Sequence, residues 1–185
     1  FGLIDIYCRG GATRSDWMQE REQAGDEFWK VNRKAEPLEA PLWEHRRNFL
    51  AHFDNRITGT YIWTIKQWGI VGWTEEDYWT DGGVGNLDSV FIWPHETGVL
   101  STIRLNTMRE AIEDNAMLWM LRNKVEQLEA EPVKDQQLEA VLQEARQILE
   151  SGPLAETIDS PEKLHRLRLR VGDTLSNLNT ITQSP

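Results

Sequence analysis

The chain has 185 residues, and its 20 Lys and Arg against 30 Asp and Glu give a formal net charge of −10 at pH 7. A negatively charged surface repels phosphate groups, so the composition disfavours a nucleic-acid-binding protein. The single cysteine, Cys8, excludes an internal disulfide framework and a multi-cysteine zinc site, and no apolar stretch approaches the ~20 residues of a membrane span.

The first half of the chain predicts alternating strands and helices. In order, these are a strand at Leu3–Tyr7, a helix at Asp16–Gln23, a strand at Glu27–Val31, a helix at Leu42–Phe53 and a strand at Thr60–Ile65. This alternation favours three parallel strands that lie side by side in chain order. Because a buried strand at the very start of a chain needs neighbours, we expect the sequence to be part of a larger polypeptide.

The second half predicts helices. After a long loop and a short strand at Ser89–Trp93, helices are expected from Ser101 or Thr102 onwards, at about Lys134–Glu150, and from Ser160-Pro161 onwards. The first of these helices carries Leu105, Met108 and Ile112 at helical spacing, which predicts a buried apolar stripe.

Common catalytic and cofactor-binding signatures are missing from the sequence. It contains no GxSxG, HExxH, GxxxxGK[ST] or CxxC motif, so we expect no cofactor and no metal site. Glu113 and Asp114 stand in the middle of a predicted helix, where Arg109 precedes Glu113 by four residues. This spacing predicts an ion pair between Arg109 and Glu113 that has a structural role and no catalytic one.

The segment after the third strand is rich in aromatic residues. Trp63, Trp68, Trp73, Tyr78 and Trp79 lie within seventeen residues of one another, interleaved with Lys66 and Gln67. Flat rings beside hydrogen-bonding groups suit a sugar, whose apolar C–H face stacks on a ring while its hydroxyls bond to polar groups. The alternative is that these rings cover a barrel mouth or are buried against the helical half of the chain. The Glu75–Asp77 run could supply an acid/base carboxylate, or it could be a solvated patch or a helix start with Thr74 as its cap.

Several segments resemble one known enzyme family. Residues 101–121, STIRLNTMREAIEDNAMLWML, resemble the signature SIRLEALRDGIEDYEYLWLL of glycoside hydrolase family 123 and of the related domain of unknown function 4091. The segments LIDIY (3–7), GDEFW (25–29), GTYIW (59–63) and FIWP (91–94) resemble the strands VDIWVP, GKEVWYY, GFLYWAxNxW and LVYPG of that family, in the same order. The resemblance therefore covers about residues 1–125.

The resemblance implies a fold class. The chain would be α/β and would form the C-terminal portion of a (β/α)₈ barrel, with the last three βα units in residues 1–100. C-terminal helices would follow in residues 101–185 and pack on the barrel. A complete barrel needs roughly 200–250 residues, so the remaining strands would come from a larger polypeptide or another chain.

The resemblance also implies a function, which is glycan binding or hydrolysis, with N-acetylhexosaminides as possible substrates. The adjacent Asp-Glu pair that hydrolyses N-acetylgalactosaminides in the family has no match here, so no catalytic residue is assigned. Lys30 stands where the family has a tyrosine, which leaves the sugar specificity open. The expected substrate-binding residues are Trp63, Lys66, Gln67, Trp68, Trp73 and Trp79.

Two alternatives to a hydrolase remain. The chain could be a non-catalytic carbohydrate-binding module that kept the barrel, or a structural subunit that uses its helices for assembly. The expected partners are a glycan and the rest of the barrel, without nucleic acid or a membrane span. Family resemblance alone suggests an extracellular or periplasmic location.

Overall fold

The computed structural model describes residues 5–10, 15–32, 41–62, 91–130 and 136–183, and most of these are helical. The elements in chain order are β1 (Ile6–Arg9), α1 (Asp16–Gln23), β2 (Glu27–Asn32), α2 (Leu42–Asp54), β3 (Gly59–Ile62), β4 (Ile92–His95), β5 (Gly98–Ser101), α3 (Ile103–Glu129), α4 (Gln136–Leu149), α5 (Leu154–Thr157) and α6 (Pro161–Gln183). The protein is therefore a mixed α/β structure.

The chain divides into two compact units. The sheet unit consists of Phe1–His45 and Asn55–Glu110, and the helical unit consists of Arg46–Asp54 and Ala111–Pro185. Each unit has its own set of buried apolar side chains.

The sheet unit contains the predicted parallel strands. Strand β2 lies between β1 and β3, and both pairings are parallel. In register, Cys8 lies opposite Trp29, which in turn lies opposite Gly59. Because each crossover between these strands is short, neighbours in sequence became neighbours in the sheet, and the predicted strand order is confirmed.

Helix α1 has the predicted bounds, and its two ends differ in how they are formed. Gly25 follows the helix with a φ of 94°, a left-handed conformation that suits glycine and stops the helix. At the other end, Ser15 occupies the N-cap position, but its side chain makes no capping hydrogen bond. Helix α3, in contrast, has a side-chain cap: the Thr102 Oγ1 accepts a hydrogen bond of 3.3 Å from the Leu105 N–H.

A hairpin precedes α3, and the sequence predicted only part of it. Strand β4 pairs with β5 in an antiparallel ladder that runs from the Ile92–Ser101 pair to the His95–Gly98 pair. The sequence predicts a strand at Ser89–Trp93 and a helix from Ser101 or Thr102, without a strand between them, because β5 is short and abuts the helix start. All four residues of β5 are exposed, so no alternation of apolar and polar side chains marked it.

The helical unit is built from the Arg46–Asp54 part of α2, the Ala111–Glu129 part of α3, and helices α4, α5 and α6. Its core consists mainly of leucines on these helices, among them Leu50, Leu118, Leu121, Leu142 and Leu178, each at most 1 % exposed. Three- and four-residue spacing brings such side chains to one face of each helix, and this repeated pattern made the helices predictable.

The buried face of α3 differs from the expected stripe in its first half. Ile112 is 53 % exposed, whereas the neighbouring Ala111 and Asp114 are buried. The predicted stripe included Ile112 because it is apolar. The buried position is instead Asp114, a carboxylate, which a search for apolar residues passes over.

Candidate functional site

The three parallel strands end at a common edge of the sheet. Strand β1 ends at Arg9, β2 at Asn32 and β3 at Ile62, and parallel pairing brings these carboxyl ends to the same side. The residue after β3 in the sequence is Trp63. The aromatic segment identified from the sequence therefore follows the carboxyl end of β3 in the chain, and the carboxyl edge of the sheet is where parallel α/β folds bind ligands.

One face of the sheet is covered by α1. The Tyr7 ring stacks on Phe28 with a centroid distance of 5.5 Å, and Trp17 of α1 meets Tyr7 edge-on at 5.2 Å. Met18 of α1 and Ile57 complete this small core together with Phe28, all three at most 3 % exposed. Aromatic packing thus joins the helix to this face of the sheet.

The second face of the sheet, defined by Ile6, Cys8, Trp29, Val31 and Tyr61, is more open. These residues share a face because successive side chains of a strand point to opposite sides. Ile6 is 46 % and Tyr61 is 48 % exposed, while Trp29 and Val31 are partly buried. An exposed aromatic residue one position before the end of β3 lies close to the carboxyl edge.

The Trp29 indole has a fixed orientation on this second face. A Cβ atom built on Gly59 would lie 2.5 Å from ring atoms Cδ2 and Cε2 of Trp29, so the ring packs against the glycine backbone. The indole N–H donates a hydrogen bond of 3.2 Å to Glu27 Oε2, which also accepts one of 3.0 Å from the Thr58 hydroxyl. The ring is held both on its flat side and at its edge.

All sequence-predicted site residues fall between residues 63 and 90, outside the described residues: Trp63, Lys66, Gln67, Trp68, Trp73 and Trp79. Trp29 and Tyr61 were not among them. The two-residue alternation within the predicted strands could have found this pair, because it places both rings on the face away from α1.

The helical unit contains a different polar cluster, formed by Asp114, Arg46 and Arg168 (the Asp114 cluster). The Arg46 Nε donates a hydrogen bond of 2.8 Å to Asp114 Oδ2, and the Arg168 Nη1 donates one of 2.8 Å to Oδ1. Arg168 also reaches Glu113 Oε2 at 3.1 Å. Burial raises the pKa of the Asp114 carboxyl above its ordinary value, while the two guanidinium groups oppose that shift.

This cluster is not arranged for catalysis. Both carboxylate oxygens of Asp114 already accept hydrogen bonds from arginines, so neither is available to take a proton from a substrate. A cavity beside it is lined by Leu50, Met117 and Leu167 and has room for about one water molecule. The arrangement is that of a structural ion cluster.

Within residues 5–10, 15–32, 41–62, 91–130 and 136–183, no group of three or more His, Cys, Asp or Glu side chains is placed to hold a metal ion. None of the helices in that part of the chain is long and apolar enough to cross a membrane.

Comparison with known proteins found neither a matching family model nor a significantly similar curated sequence.

Proposed function

We propose that the chain supplies a sugar-binding wall at the carboxyl edge of a (β/α)₈ barrel of the glycoside hydrolase family 123 type. Its remaining strands would come from a larger polypeptide. The observation that carries this proposal is the parallel sheet β1–β2–β3, whose strands all end at the edge from which the aromatic segment departs. In (β/α)₈ barrels, ligands bind at that edge.

The two faces of the sheet support the same proposal. In a barrel, helices cover the outer face of the strands and side chains from other strands fill the inside. Helix α1 packs on the face of Tyr7 and Phe28, which would be the outer one. The second face, with Ile6 and Tyr61 about half exposed and the exposed carboxylate of Glu27 beside them, would be the inner one.

The chemistry of the aromatic segment fits a pyranose. Trp63, Trp68, Trp73 and Trp79 offer flat rings for the C–H face of the sugar, and Lys66 and Gln67 offer hydrogen bonds for its hydroxyls. If the strand period of β3 continues, Trp63 shares the face of Tyr61, two residues earlier. We assign the chain a binding function and no catalytic residue.

The test is Trp68→Ala in the full-length protein, with the melting temperature and the affinity for an N-acetylhexosamine disaccharide measured side by side. A stacking ring predicts about tenfold weaker binding, equivalent to about 1.4 kcal/mol, at an unchanged melting temperature. Lost stability with unchanged affinity would make Trp68 a core residue and overturn its assignment.

Trp17→Ala is the matched control. Trp17 is 44 % exposed and packs on Tyr7 and Phe28, on the face of the sheet that α1 covers. Its loss should lower the melting temperature and leave disaccharide binding unchanged. Equal losses of affinity in the two variants would show that binding depends on general stability instead of a specific wall.

A further inference from the structure

The buried positions of α3 follow a seven-residue repeat. Their successive spacings are three and four residues along the whole helix: Arg104, Thr107, Ala111, Asp114, Leu118, Leu121, Val125 and Leu128. Such a repeat is typical of the seam of packed helices. Asp114 therefore occupies a position where an apolar side chain is the usual choice, and it is only 6 % exposed.

Both charge partners of Asp114 come from other helices of the helical unit. Arg46 belongs to α2 and Arg168 to α6, which are 68 and 54 residues away in sequence. One carboxylate therefore connects three helices. Its two oxygens receive one guanidinium each, so the charge is compensated from both sides.

Stability is a poor explanation for this cluster. Transfer of charges from water to a protein interior costs free energy, and well-packed apolar side chains in place of a buried ion cluster are often neutral or stabilising. A buried polar group at a seam position has a better-attested use, which is to select one register of the helices.

The sequence around each arginine is consistent with that use. A shift of α6 by one helical turn, about 5.4 Å, would replace Arg168 opposite Asp114 with Leu164 or Gly172. The same shift of α2 would bring Leu42 or Leu50 to Asp114 instead of Arg46. Each alternative leaves a buried carboxylate facing an apolar neighbour, which is strongly disfavoured.

We propose that the Asp114 cluster fixes the register in which α2 and α6 pack on α3, and that it does so without a net gain in stability. The leucine-rich seam alone is compatible with packings that differ by a turn, because Leu164, Leu167 and Val171 are alike in character. The cluster makes one of these packings the native one.

The test is the triple variant Arg46→Met, Asp114→Leu, Arg168→Met in the full chain. We expect a melting temperature equal to or above that of the wild type, together with broadened or duplicated amide signals from α2 and α6 in a nitrogen-15 NMR spectrum. A single sharp set of signals would overturn the proposal. A lower melting temperature would also overturn it, because the cluster would then be a plain source of stability.

A surface pair provides the control. Arg170 of α6 bonds to Glu144 of α4 with both side chains more than two-fifths exposed, and Arg170→Met with Glu144→Met should leave one sharp set of signals. If the triple variant does not fold, the single variant Arg168→Met decides. Duplicated α6 signals at unchanged helix content support the proposal, and an unchanged spectrum contradicts it.

Discussion

The two units of the molecule are stabilised by cores of different size and composition. The helical unit rests on an extended core, in which Leu118 and Leu121 of α3 belong to the same buried set as Leu142 of α4 and Leu178 of α6. The described part of the sheet unit has a small core of Met18, Phe28 and Ile57, supplemented by aromatic contacts. Repetition makes the first tolerant of small changes, whereas the second depends on a few individual contacts.

Phe53→Ala should have the largest effect, and it tests the core of the helical unit. Phe53 is 1 % exposed, its ring meets Trp119 edge-on at 5.6 Å, and the Arg122 guanidinium lies 3.9 Å from its centroid. We expect a loss of about 3–5 kcal/mol in the free energy of unfolding, measured by denaturant titration. A loss below about 1 kcal/mol would mean that the core is not packed around this ring.

Two glycines sharpen the comparison between the units. Gly59→Ala should cost about 1–3 kcal/mol, since the new methyl group would lie 2.5 Å from the Trp29 ring. Gly172→Ala in α6 should stabilise the protein by about 0.5–1 kcal/mol, because its methyl group would meet the Met117 Cε at 3.5 Å, an ordinary contact, within a helix. Thermal unfolding of both variants measures the difference, and shifts of the same sign would contradict it.

The smallest effect concerns Asp54, whose carboxylate links α2 to the start of α5. Its two oxygens accept hydrogen bonds of 3.0 Å from the Leu154 and Ala155 N–H groups. Burial raises the pKa of Asp54 above its ordinary value, against the opposing effect of these bonds. A carbon-13 NMR titration of the side-chain carboxyl group measures this pKa directly.

The raised pKa has a defined consequence for stability. The folded state binds the proton of Asp54 more tightly than the unfolded state, so the contribution of this group is fully present below the ordinary pKa. It falls as the pH rises through the folded-state value. A titration that places the pKa below the ordinary value would show that the hydrogen bonds outweigh burial.

The sequence was most informative where a pattern repeats. The helices at Asp16–Gln23 and Leu42–Asp54 have the predicted bounds to within one residue, and the order of the parallel strands followed from the alternation of elements. Periodic burial and short connections are local properties, so a single sequence contains them.

Features that depend on distant partners were missed. The sequence predicted Arg109 as the ion-pair partner of Glu113, and it gave no sign of Arg168, 55 residues away, which binds Glu113 in the structure. The burial of Asp114 depends on Arg46 and Arg168 in the same way. Helical spacing reveals neighbours on one helix, and it contains no information on which helix packs opposite.

The candidate site was predicted from the aromatic composition of one segment, whereas the strand order was predicted from the alternation of strands and helices. The order of β1, β2 and β3 lies within the described residues, and it is confirmed. Trp63 and Trp68 fall outside those residues, so their role stays a prediction. Several aromatic residues close together in a sequence indicate the class of ligand. Which of them contact the ligand depends on where their side chains lie in the fold.

The most direct test of the glycan proposal is a titration of the nitrogen-15-labelled protein with an N-acetylhexosamine disaccharide, followed through the indole N–H signals of its nine tryptophans. We predict saturable shifts of the Trp63 and Trp68 signals, with Trp17 and Trp119 unchanged, because those two rings pack against Tyr7 and Phe53. Indole signals that do not shift at saturating disaccharide, or shifts confined to Trp17 and Trp119, would contradict a sugar-binding wall at the carboxyl edge of the sheet.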